Sequence, residues 1–349
     1  MAVELTSRRH VVEGVAADPA EAIEFCYRQG WTDGLPVVPP TEALTAAFLE
    51  GMGLAPTDVV GEIPARARRF TAEVVAINAV MAGCLPEYGP VVRAAVEAMC
   101  APEHNVNGAA ASTGGSAPLT IVSGPIAQRI GMNGGGNLFG PGNRANATIG
   151  RALRLLLMNA GGATPGVMDK STLGHPGKYS YCIAELTEGN PWPPLHARRG
   201  LPAEASAVTV FAGEAPHYAT NHHSGDAAGV LRTVAGVMAA SGYRGGAYVV
   251  VLCPEHLGPI VREAWSAEDV QAFLAREAKA TVAELKRNGR MGGDPEPGDE
   301  ERVLHAVGGP EDVLVLVGGG PAGGFSAVIP PWAGGRSSRP VTREIIACA

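Results

Sequence analysis

A chain of 349 residues that is 46% hydrophobic and only 17% charged holds enough apolar material for one large core or two ordinary ones, which excludes a disordered chain. Its net charge of -7 excludes a nucleic-acid groove, and no apolar run approaches the ~18 residues of a membrane helix. Met1 to Val15 carries Arg8, Arg9 and His10 but no apolar core of signal-peptide length, so a cytoplasmic protein with no membrane partner is expected.

In chain order, Pro19 to Gln29 has the spacing of an amphipathic helix that ends at Gly30. Prolines keep the following stretch to Pro40 extended, and Thr41 caps the next helix. Asp33, between Thr32 and Gly34, suits an Asx turn or a ligand-facing carboxylate. Asp58 to Ile63 reads as a strand, and Thr71 caps a helix from Ala72 to Gly83. Cys84 then stands at a helix-to-helix corner before a helix that runs to about Cys100. Ala117 to Gly124, Ala207 to Ala212, Ala247 to Cys253, Asp312 to Val317 and Phe325 to Ile329 read as strands. Helices are expected from Asp226 to Ser241, after Pro254 and after Ser266, with a linker from Asn288 to Glu301. Strands alternating with helices predict an α/β fold with a mainly parallel or mixed sheet, flanking helices and two lobes, 1–200 and 201–349.

The densest chemistry lies between Phe139 and Glu185. Asn143 is placed to cap a helix whose core face is Ile149, Leu153, Leu156, Leu157 and Ala160. Arg144, Thr148 and Arg151 share one stripe of it, so the helix start and two guanidiniums predict an anion pocket for a small anionic substrate. Downstream come His175, Lys178, Tyr179, Tyr181 and Cys182; alternation on a strand sends Tyr181, Ile183 and Glu185 to one face and Cys182 and Ala184 to the other. His175 and Tyr179 are thus the candidate bases, with cationic Lys178 beside them to favour a Cys182 thiolate. Cys84, at a helix start, is the second candidate thiol; burial as a small hydrophobe is the alternative for it. The six cysteines show no C-x-x-C pair and are expected to be reduced; Cys26, Cys100 and Cys253 lie inside apolar patterns and read as inert, and Cys348 stands near the chain's end.

His217, His222 and His223 lie within seven residues, either as ligands of a divalent metal held by a loop or as capping and substrate-binding groups. Gly318-Gly319-Gly320-Pro321-Ala322-Gly323 fits G-x-G-x-x-G, but a strand pattern follows where a helix should open, so Gly318, Gly319 and Gly320 are expected to line a substrate loop and neither nicotinamide nor flavin is expected.

The segments GWTDGLPVVPPT, NAVMAGCLPEY, GPGNRANATIGR, HPGKYSYCIAE and VGGGPAGGFSAVIP resemble a bacterial family, the large proteins associated with UGSC/CGSC-type (seleno)cysteine domains. The resemblance implies a thiol- or selenol-bearing partner protein, since no U/C-G-S-C string occurs here. The expected function is a thiol-dependent oxidoreductase or lyase working at a cleft between lobes, in a chain expected to form a homo-oligomer. The alternatives are a metal-dependent lyase or hydrolase on the histidines, and a non-catalytic binding subunit.

Overall fold

The computed structural model describes residues 5–7, 19–242, 244–335 and 337–346. Arg8, Arg9, His10 and Cys348 lie outside the described residues. The strands are β1 (Val59–Ile63), β2 (Arg68–Thr71), β3 (Ala117–Ser123), β4 (Cys182–Ala184), β5 (Ala207–Gly213) and β6 (His217–Thr220). They continue as β7 (Tyr248–Leu252), β8 (Lys279–Thr281), β9 (Val303–His305), β10 (Val313–Val317), β11 (Phe325–Ile329) and β12 (Val341–Glu344).

The fold is α/β with mixed sheets. One four-stranded sheet has the order β12-β5-β3-β4 and the other β10-β7-β11-β6. Each holds one parallel pair, β3 with β4 and β7 with β10, and its remaining pairs are antiparallel. Of the two expected forms, mainly parallel or mixed, both sheets are mixed. The division between sheets also differs from a boundary at residue 200: β5 and β12 belong with β3 and β4, and the second sheet begins at β6.

Strand alternation stacks these sheets on each other. Leu119, Ile121, Ile183 and Phe211 of the first sheet and Val249, Val251, Leu316 and Ile329 of the second form one buried cluster. The opposite face of the first sheet, with Val122, Cys182, Val208 and Val210, packs on the helices Ala72–Ala82, Gly89–Cys100 and Arg144–Asn159. Val250, Val315 and Val328 of the second sheet face the helices Ala227–Ala240 and Ala267–Glu277. The result is four layers, helices outside and two sheets within, which explains why these strands read as unbroken apolar runs: each is covered on both faces.

Caps fix the helices where side-chain chemistry predicts. Thr41, Thr71, Asn143 and Ser266 each accept a hydrogen bond from the backbone of the first turn, an arrangement stabilising by about 1 kcal/mol apiece. Gly150 lets the helix Arg144–Asn159 approach the chain before β4, because a Cβ there would stand 2.5 Å from Ser180 Oγ and 2.6 Å from the Tyr181 nitrogen. The expected linker is instead a tethered surface loop. Its Asp299 is buried, accepts from Lys286 Nζ at 2.8 Å and pairs with Arg302, while Arg290 donates to the carbonyl of Ala239. No helix among the described residues is long and apolar enough to cross a membrane.

Candidate functional site

The helix Arg144–Asn159 gathers four of the five family-like segments, but its polar groups are spent within the protein. Asn143 caps the Asn146 nitrogen at 3.0 Å and donates to the Gly131 carbonyl at 2.7 Å. Arg144 Nε donates to the Gly83 carbonyl at 3.0 Å. Arg151 grips Asp33 with two 2.8 Å hydrogen bonds and also donates to the carbonyls of Leu35 and Pro36. Arg151 is thus a clamp on the 30–40 segment and not an anion holder. Asp33 combines that pairing with an Asx-type bond from the Leu35 nitrogen, so it is no ligand-facing carboxylate. Ser180 Oγ joins the fourth segment to the helix through the Ala147 carbonyl at 2.7 Å.

Lys178 is committed as well. Its ammonium lies 2.9 Å from Asp169 Oδ2 and 2.8 Å from Ser171 Oγ, and Arg154 reaches the same carboxylate oxygen at 2.9 Å. Burial would raise the Asp169 carboxyl, but Ser171 and Lys178 outweigh it and bring it down to about 2. His175 accepts from the Gly177 nitrogen through Nδ1, while its buried Nε2 has no partner. Burial and the nearby Lys178 charge bring it down to about 4, so it is neutral near pH 7. Tyr179 is half exposed, whereas Cys84 and Cys182 are buried.

Cys182 lies on the helix-facing side of β4, as alternation predicts, with Tyr181 and Ile183 in the inter-sheet core. Burial raises its thiol well above the ordinary range, with Cys84 adding to the effect. Burial likewise pushes Cys84 up to about 12 against the weaker pull of Thr148 and Arg144. Cys26 and Cys100 are also raised by burial. The two thiols expected to react are therefore held protonated.

Cys253, read as inert, is the exception. It caps the helix Pro254–Arg262 at the carboxyl end of β7, buried beneath the glycine-rich loop that follows β10. Its neighbours are His256, one turn on, and Ser326 from β11, both buried. His256 Nε2 lies 2.8 Å from the Asn221 carbonyl, which only accepts, so Nε2 carries a proton. Nδ1 lies 2.7 Å from Ser326 Oγ, which in turn is 3.7 Å from Cys253 Sγ and accepts from the Cys253 nitrogen at 3.2 Å. If Ser326 donates to sulfur, Nδ1 donates to Ser326 and the pair is an imidazolium and a thiolate; in the neutral form sulfur donates to Ser326 and Ser326 to Nδ1, so the network passes one proton between Cys253 and His256. The electrostatics agree. Burial alone would raise the thiol, yet the hydrogen bonds and charge of His256 bring it below its ordinary value. Burial would lower His256, yet Cys253 and the Asn221 carbonyl raise it. Among the five described cysteines with a shift, Cys253 alone moves down.

The glycine-rich loop also lines a cleft of about 470 Å³ together with Val251, Phe325 and Ala327, on the opposite face of β11 from Ser326. Gly318 donates to the Leu252 carbonyl at 3.0 Å and Gly319 to the Gly134 carbonyl at 3.0 Å, which draws the Asn133–Gly140 loop alongside it. A Cβ on Gly318 would stand 2.8 Å from the Leu138 side chain and 3.0 Å from that of Val251, so a larger residue would have to push these side chains aside. Gly318 and Gly319 line the cleft and Gly320 packs on Gly136. The loop runs on into β11 and not into a helix.

The three histidines are not brought together. His217 is exposed at the start of β6 near Glu214, His222 lies beyond its other end, 3.9 Å from Glu255 and edge-on to Phe325, and the His223 nitrogen serves a turn closed by Asn221. Among the described residues no group of three His, Cys, Asp or Glu side chains is placed to hold a metal. The larger cavity, about 590 Å³ beside the helix Pro19–Arg28, contains Glu73, whose carboxylate is taken up by Thr6 and Ser7.

Compared with protein-family models, with curated proteins and with solved structures, the chain matches none. The function must therefore be argued from the site itself. Its missed residue had one local signal: in Cys253-Pro254-Glu255-His256 the thiol and imidazole are three apart across a helix start, on one face.

Proposed function

We propose that this chain is a thiol-dependent enzyme acting on a small organic electrophile, with Cys253 as nucleophile, His256 as its proton acceptor and Ser326 linking them. The observation that carries this reading is the buried hydrogen-bond chain from Asn221 through His256 and Ser326 to the Cys253 sulfur. The thiolate forms a bond from sulfur to the electrophilic carbon as one bond of that carbon, a π bond or the bond to a leaving group, breaks; the released electron pair stays on the atom that carried it, which takes up the proton held on His256. The thiol comes from this chain, so a (seleno)cysteine partner would act as a substrate or redox partner and not as the source of the first nucleophile.

Limiting iodoacetamide at pH 7, followed by peptide mapping, is expected to modify Cys253 at least ~10-fold faster than Cys84 or Cys182, because a lowered pKa leaves a larger thiolate fraction. His256→Gln is expected to remove most of that advantage and to move the inflection of the rate against pH upward. The reading fails if Cys253 stays unmodified in the folded protein while Cys84 or Cys182 reacts; a non-catalytic binding role for the glycine-lined cleft then takes its place.

A further inference from the structure

The cleft lined by Gly318 and Gly319 is walled by aromatic side chains that the fold leaves uncovered. Tyr218 is 70% exposed, Phe325 49% and Phe139 38%, and all three line this one cavity. Each ring is held from behind. Phe325 packs against Tyr218 with centroids 6.0 Å apart and against His222 at 4.9 Å, while Phe139 leans on the buried Tyr181 at 6.1 Å. Val251 and Ala327 supply an apolar floor, and the backbone of Gly318 and Gly319 supplies a side wall with no side chain in the way.

Charge is absent from this lining. Its amide side chain, Asn137, donates to the Pro141 carbonyl and is folded back over Gly140, and no Asp, Glu, Lys, Arg or His contributes to the wall. A carboxylate or phosphate would lose water there and gain no counter-charge. A volume of about 470 Å³ falls within the range of small-molecule sites, and pre-placed rings favour a flat partner that stacks or meets them edge-on.

We infer that the cleft takes an uncharged, planar aromatic or conjugated group. The binding follows from the lining of the cleft and is independent of the thiol chemistry. It also replaces the anionic ligand expected from the sequence with a neutral one.

The test is calorimetric titration of the full chain with 2-naphthamide, a flat neutral probe, and with cyclohexanecarboxamide, a neutral probe without a π-face. The planar probe is expected to bind at least ~10-fold more tightly, and Tyr218→Ala and Phe139→Ala are each expected to erase most of the difference while leaving the unfolding transition in place. Cys253→Ser is expected to bind 2-naphthamide as the unaltered chain does. Equal affinity for the two probes overturns the inference, as does no binding, or binding indifferent to both substitutions. A second copy of the chain seated in the cleft would show as a doubled mass in sedimentation with no naphthamide bound, and would also overturn it. If naphthamide binds as expected while Cys253 resists alkylation, the aromatic site stands and only the thiol chemistry falls.

Discussion

Asp169→Asn is expected to lower the unfolding free energy by roughly 3–5 kcal/mol, the cost of leaving buried charges without their partner. The carboxylate is 5% exposed and answers both Arg154 and Lys178 through one oxygen, while its other oxygen accepts from the Ser171 nitrogen and hydroxyl. Neutralising it strands a guanidinium and an ammonium together. Lys178 already has its pKa lowered by burial, held up chiefly by Asp169, so it would shed its proton in the variant. Adding Lys178→Met to Asp169→Asn should therefore restore part of the loss in urea denaturation. A loss below ~1 kcal/mol for the single variant would mean that the cluster is solvated and contributes little. The pH dependence has a definite sign: the Asp169 carboxyl is depressed, so its contribution is present above the ordinary aspartate range and is lost as pH falls towards about 2.

The second large effect is acid sensitivity from histidines buried in neutral form. His104 is 1% exposed with no partner on Nδ1, and burial lowers it to about 4 against the weaker pull of the Val210 carbonyl. His175 falls to about 4 as well. The unfolded chain takes up protons at these positions below about pH 6.5 while the folded chain does not, so stability falls as pH drops from there towards about 4. At pH 5 the expected cost is about 2 kcal/mol per histidine relative to pH 7.5. His256 runs the other way, because its raised pKa favours the folded state at lower pH and that contribution is lost as pH rises. His104→Gln should flatten the pH 5 to 7.5 slope of the urea midpoint by about half; an unchanged slope would show that His104 is not among the groups responsible.

Much of the secondary structure was legible because its causes are local. A threonine or asparagine before an apolar-periodic run marks a helix start, and Thr41, Thr71 and Asn143 each make that bond. The strands from Ala117, Ala207, Tyr248, Val313 and Phe325 were legible as apolar runs. Which strand would pair with which was not, since a strand buried on both faces carries no alternation to name its neighbour. The site was harder still. Arg144 and Arg151 looked like free cations because Gly83 and Asp33 lie 61 and 118 residues away. Cys182 looked reactive from its cationic neighbours in sequence and Cys84 from its place at a helix start, while the fold buries both in the helix-facing core. Cys253 looked inert because Ser326, which completes its network, arrives 73 residues later on another strand.

The last described strand also sets an order of events. β12 pairs with β5 at the rim of the first sheet, from Val341 against Val210 to Glu344 against Ala207. As the chain emerges from the ribosome, every residue of the second sheet is made before β12 is. Through that interval the edge of β5 displays unpaired backbone groups, an invitation to pairing with neighbouring chains. That edge of β5 stays bare until a strand of four residues, made after the whole second sheet, arrives to cover it.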